Sequence, residues 1–94
     1  ALDDNRIVEL FLMRDEKAIE ETAQKYGKRL RSLSRGIVGD ALTAEECEND
    51  TYLALWNAIP STRPNSFSAF LSTVVRNKAL DQYKRKSGET ENVN

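Results

Sequence analysis

The chain has no histidine and only one cysteine among its 94 residues. The first absence removes the commonest general base and metal ligand at neutral pH. The second excludes an internal disulfide and leaves Cys47 with no histidine to activate it, so it reads as a small core residue and not a nucleophile. A lone cysteine suits a reducing compartment, and a cytoplasmic location is expected. No apolar run approaches the roughly 20 residues that cross a bilayer, and no signal-peptide pattern opens the residues given, so membrane insertion is not expected. Gly-rich phosphate loops, metal-ligand spacings and a Ser/His/Asp set are all missing, so no enzyme activity, metal or cofactor is expected. Adjacent acids such as Glu45 and Glu46 on a solvated helix do not imply acid–base catalysis. There is no alternating apolar pattern to mark a strand, and no internal repeat.

What is present is ordinary in amount and unusual in arrangement. A chain of this length makes one domain and buries only about 60–65% of its unfolded surface. The net charge of −1 hides three blocks. Residues 1–39 are nearly balanced. Residues 40–56 carry five acids (Asp40, Glu45, Glu46, Glu48, Asp50) and no base. Residues 57–88 carry six bases (Arg63, Arg76, Lys78, Lys84, Arg85, Lys86) against Asp81. An acidic block followed by a basic one suggests two surfaces with different partners. The first methionine is Met13, so the chain is expected to be a piece of a longer protein, with 1–86 as the folded domain and 87–94 as a linker or polar tail.

Apolar periodicity predicts an all-α, compact bundle of about four helices. Ile7, Leu10 and Phe11 form a short amphipathic stretch that Asp3 or Asp4 can cap. Asp15 can cap a longer helix whose apolar stripe is Ile19, Ala23, Tyr26, Leu30, Leu33 and Ile37, ending at Gly39-Asp40. Thr43 and Glu46 read as a capping box opening a third helix, which Pro60 ends. Residues 61–65 are a loop by composition. Asn65 or Ser66 can cap a fourth helix carrying Phe67, Phe70, Leu71, Val74, Val75 and Leu80, with Gly88 as its stop.

Two helix faces stand out. In the third segment, Ala44, Cys47, Thr51, Leu55, Trp56 and Ile59 read as core. Glu46, Asn49 and Leu53 form a separate ridge at i, i+3 and i+7, beside Asp50. From spacing alone, that ridge reads equally well as a solvated face with one leucine or as a docking surface. In the fourth segment, Asn77, Asp81, Lys84 and Arg85 share a face flanked by Arg76 and Lys78, with Phe67, Phe70 and Tyr83 on the same element. Basic groups neutralise phosphates, and aromatic rings accept stacked bases. Six bases against one acid exceed what is needed to complement a helix dipole. The basic residues of the second segment (Lys25, Lys28, Arg29, Arg31, Arg35) read as a solvated face.

These residues carry a resemblance. Residues 43–56, TAEECENDTYLALW, resemble the A-E-D-x-x-Q-[ED]-x-F-L-x-L-W signature of bacterial RNA polymerase sigma factors. Residues 67–81, FSAFLSTVVRNKALD, resemble the F-x-x-W-L-x-x-I-A-x-N-x-x-x-D signature that follows it in that family. Upstream, Asp15, Ala18, Ile19 and Tyr26 fit the usual opening. The resemblance spans residues 6–86 and is nearest to region 2 of the extracytoplasmic-function (ECF) type.

The resemblance implies a transcription initiation factor domain that binds core RNA polymerase and recognises and melts the promoter minus-ten element. Carried over by position, Glu46, Asn49, Asp50 and Leu53 would dock on the clamp helices of the polymerase β′ subunit. The loop residues Ser61, Thr62, Arg63, Asn65 and Ser66 would hold a base flipped out of the non-template strand. Phe70, Arg76, Asn77, Lys78, Lys84 and Arg85 would contact bases or phosphates. An anti-sigma factor is a further partner the resemblance admits. Asn49 stands where the family usually has Gln, and Phe70 where it usually has Trp, giving a shorter reach and a smaller wedge. The rival reading is a helical protein–protein module that binds no DNA.

Overall fold

Helix starts in this chain follow oxygen-bearing side chains, though not always the ones the spacing suggests. The structure is a computed structural model describing the backbone of residues 2–92 and the side chains of residues 2–86. It contains α1 (Asp4–Leu12), α2 (Lys17–Val38), α3 (Ala41–Ala58) and α4 (Phe67–Asn92), with no strand among the described residues. The expected all-α bundle of four helices is what the chain forms.

Asp3 caps α1 by accepting from the Arg6 N–H at 2.9 Å. Asp4 does not act as a cap. It takes the Lys25 ammonium and the Tyr26 hydroxyl, both at 2.8 Å, and ties α1 to α2. Asp15 accepts from the Lys17 N–H at 3.0 Å at the start of α2. α2 ends at Gly39, whose φ of 78° is the left-handed conformation that only glycine adopts cheaply.

The start of α3 differs from expectation. The cap is Asp40, not Thr43, and the helix begins at Ala41. Asp40 has extended backbone and accepts from the Thr43 N–H at 2.9 Å and from the Thr43 hydroxyl. Asp caps at least as well as Thr, and here it directly follows the left-handed Gly39. The two helices therefore meet without an intervening loop. Thr43 becomes the capped residue, and Glu46 is not drawn back into a capping box.

Ser66 caps α4, taking the Ala69 N–H at 3.3 Å. The helix does not stop at Gly88 but runs on to Asn92. Glycine costs ~1 kcal/mol inside a helix, which an established helix tolerates when nothing nearby demands a turn.

α2 is the central element and packs against the other three. Ile7, Phe11, Leu30, Leu55, Ile59, Leu71 and Val75 fill the core. Around one end, Phe11 sits 6.3 Å from Trp56 and 6.1 Å from Phe67, and Tyr26 sits 6.1 Å from Phe67, in tilted or edge-on pairs. The apolar stripe of α2 only partly describes its buried face. Leu30 is fully buried, but Ile19, Ala23, Tyr26, Leu33 and Ile37 flank the core. Ala18, Thr22, Gly27 and Ser34 go deepest beside Leu30. Thr22 and Ser34 donate to the carbonyls of Ala18 and Leu30 at 2.7 and 2.9 Å, so small hydroxyls lie buried without an unpaired polar atom. On α4, Leu80 points outward instead of into the core.

The turn before α2 is fastened to the end of α3. Arg14 holds a left-handed backbone (φ 58°), a conformation that costs a non-glycine residue about 1 kcal/mol. Its guanidinium lies 3.8 Å over the Trp56 ring and donates to the Trp56 carbonyl at 2.6 Å. That carbonyl is one of the last four of α3, which have no partner within the helix.

Candidate functional site

α3 is pinned to α2 by a polar cluster at their seam, and the pin decides which residues face out. Glu48 is 5% exposed. Its carboxylate accepts from Arg31 at 2.9 and 3.0 Å and from the Tyr52 hydroxyl. Burial, and then the neighbouring carboxylate, push the Tyr52 phenol well above its usual range. α2 can approach this closely because residue 27 is glycine. A Cβ there would lie 3.0 Å from Glu48 Oε2 and 3.3 Å from the Tyr52 oxygen. Nearby, the Ser34 hydroxyl also donates to the Ala44 carbonyl of α3 at 3.2 Å.

With Glu48 turned inward, Glu46, Asn49, Asp50 and Leu53 turn outward, and all four are exposed. Leu53 is 59% exposed. It borders a hollow of about 350 Å³ shared with Trp56 on α3, Ile19 and Glu20 on α2, and Glu16 just before α2. The face is thus an acidic and amide ridge running into an apolar depression with two more acids on it. Sequence spacing finds the ridge and misses the depression, because Ile19 and Trp56 both read as core. Burial, and after it the charges of Asp50 and Glu46, raise the Cys47 thiol above its usual range, consistent with an inert packing role.

The second face belongs to the loop and α4. Ser61, Thr62, Arg63, Asn65 and Ser66 are exposed, though Ser66 also serves as the helix cap. Pro64 is half-buried among them. On α4, Arg76, Asn77, Lys84 and Arg85 are exposed, and Lys78 and Phe70 are half-buried. Phe70 packs against the core edge, so part of its ring remains available. Thr73, Arg76, Asn77 and Leu80 surround a shallow dent of about 170 Å³. Tyr83, 53% exposed, continues the same side. The sequence places Tyr83 among the aromatics of this element and Leu80 in the core, and the structure exposes both.

α4 is held in place by α2. Arg29 donates to the hydroxyls of Ser68 and Ser72 at 2.8 and 2.9 Å. Together with Lys25 and Arg31, this takes three of the six α2 bases into internal contacts.

The family model described as Sigma-70 region 2 matches residues 22–89. The chain belongs to the sigma-70 region 2 family. No curated protein and no solved structure matches it. A sigma region 2 domain is a transcription initiation factor domain that serves promoter recognition and binding to core RNA polymerase. The matched residues include both exposed faces, from Glu46 on α3 to Arg85 on α4. No described helix is long and apolar enough to cross a membrane, and no metal-holding cluster of His, Cys, Asp or Glu occurs among the described residues.

Proposed function

We propose that this sigma region 2 domain is of the ECF type, acts in the cytoplasm and divides its work between the two faces. α3 docks on the β′ clamp helices of core polymerase. Glu46 and Asp50 meet basic side chains there, Asn49 supplies an amide, and Leu53 is the apolar anchor. Loop 61–66 and α4 take the non-template strand of the minus-ten element once it is unpaired. Phe70 abuts the opened step, Asn77 and Arg76 reach base edges, and Lys78, Lys84 and Arg85 neutralise phosphates. Holding an unstacked base offsets the few kcal/mol of lost stacking and pairing, so the duplex opens without any bond chemistry.

The observation that carries this reading is Leu53. The other large apolar side chains of α3 that follow the first turn lie in or against the core, whereas Leu53 stands exposed on a ridge of acids and an amide. An apolar anchor ringed by charge is the composition expected of a protein-docking hot spot. The test is affinity for a β′ clamp-helix fragment. Leu53→Ala should weaken binding about 5- to 30-fold, the worth of one apolar anchor. Unchanged affinity would remove α3 from the polymerase contact. The rival, a protein module without DNA contact, requires that single-stranded oligonucleotide ignore the 76–86 face.

A further inference from the structure

α1 ends on a motif that usually calls for glycine. The Arg14 N–H donates to the Phe11 carbonyl at 3.0 Å, and the Asp15 N–H donates to the Leu10 carbonyl at 2.9 Å. This pair of bonds closes a helix through one left-handed residue, most often glycine, which has no Cβ to strain. Here that residue is Arg14, and no other non-glycine among the described residues has a positive φ. Its side chain returns little of the cost as stability. An exposed cation–π contact is worth about what the left-handed backbone loses, and water can serve a carbonyl at a helix end. Stability alone does not account for an arginine here.

What Arg14 holds is Trp56. The guanidinium lies 3.8 Å over the ring and grips the carbonyl of the same residue at 2.6 Å, so one side chain fixes both the ring and its backbone. Phe11 backs the ring at 6.3 Å. Trp56 is half-buried, and with Leu53 and Ile19 it walls the hollow beside the acidic ridge. Arg14 is not in that lining, so it steadies the ring without filling the hollow. The hollow continues the ridge through Leu53, and Glu16 and Glu20 at its edge repeat the ridge's sign. An apolar side chain carried by the same basic partner fits it. A pocket whose aromatic wall is fixed in advance takes that side chain at a lower entropic cost.

We propose that Arg14 is a positioning residue for polymerase docking: it locks the Trp56 ring as the wall of a hollow that receives an apolar side chain of the clamp helices. It acts through the ring and not on the partner. The proposal rests on α3 docking there through Leu53.

The experiment follows binding by the anisotropy of a labelled β′ clamp-helix fragment, and follows the ring by the fluorescence of Trp56, the single tryptophan of the chain. Arg14→Gly suits the left-handed backbone, so the melting temperature should hold. Affinity should nevertheless fall about 3- to 10-fold, the worth of one side chain ordered in advance, and the emission anisotropy of Trp56 in the free chain should drop. Arg14→Lys, whose ammonium can still lie over the ring, should lose less. Trp56→Phe should weaken binding too, and adding Arg14→Gly to it should cost no more than about 1.5-fold further, since the two act as one unit. Unchanged affinity in Arg14→Gly, or losses that multiply in the double variant, overturns the proposal. If Leu53→Ala weakens binding and Arg14→Gly does not, the role of Arg14 alone falls. If neither changes affinity, the docking role of α3 falls with it.

Discussion

α3 and α4 both present a polar face to solvent, yet they are backed and decorated in opposite ways. α3 rests on a polar seam, where Glu48, Arg31, Tyr52, Ser34 and Gly27 set its rotation against α2. Outside, it shows acids, an amide and Leu53 beside an apolar hollow, with Leu42 also exposed in its first turn. α4 rests on an apolar seam of Leu71, Val75 and Ala79 and shows cations, an amide and an aromatic ring. An apolar anchor within charge suits a folded protein partner, whose interface must be dry at the centre. Cations beside an exposed Tyr83 and an outward Leu80 suit a nucleic-acid strand, where affinity comes from displaced counterions and stacking. Sign of charge separates the two faces, and the apolar hollow beside Leu53 sets α3 further apart from α4.

Four variants would break or sharpen that contrast. The largest effect is expected from Glu48→Ala, which leaves the Tyr52 hydroxyl buried without its acceptor and removes the Arg31 ion pair. Arg31 is half exposed, so the loss is about 2 kcal/mol and not the larger value of a fully buried pair. Thermal or urea unfolding reads it. A loss of stability within error of zero would mean the seam does not set the orientation of α3.

Leu53→Ala follows, with weaker binding of the polymerase fragment and no change in oligonucleotide binding or stability. Next, Lys84→Ala with Arg85→Ala should lower the slope of log affinity against log salt by up to about 2, one for each phosphate no longer neutralised, while leaving the polymerase fragment bound. A constant slope would take those two residues off the phosphates.

The smallest effect is Tyr52→Phe. The folded-state pKa of Tyr52 lies above its unfolded value. Its stabilising contribution is therefore complete below pH of about 10, the unfolded tyrosine value, and is lost as pH rises beyond that. The variant should be less stable at neutral pH, by about 1 kcal/mol for the lost hydroxyl bond, and the gap should narrow in the alkaline range, where the unaltered chain declines more steeply. Parallel declines would contradict the burial of the phenol against Glu48.

The four helices are readable because their apolar residues recur every three to four positions and their ends carry capping oxygens, glycine or proline. The start of α3 is ambiguous in the sequence because two good caps, Asp40 and Thr43, stand three residues apart, and local pattern does not say which will take the extended backbone. The deepest line of α2 is hidden because Thr22 and Ser34 bury their hydroxyls by bonding to their own preceding turn, which a hydrophobicity count scores as exposed. Glu48 looks like one more surface acid. Tyr52 at i+4 hints otherwise, but its second partner, Arg31, lies 17 positions away in another helix. The outward residues of both faces follow from helix spacing, and all of them except half-buried Phe70 and Lys78 are exposed.

The central claim is that a protein and a DNA strand are held at once by separate faces. Its most direct test mixes the chain with both a β′ clamp-helix fragment and a labelled minus-ten single strand, and follows the complex by analytical ultracentrifugation. The account expects a three-part complex from which Leu53→Ala removes the fragment alone, and Lys84→Ala with Arg85→Ala removes the strand alone. Displacement of the strand by the fragment, or a single substitution that expels both, would contradict it.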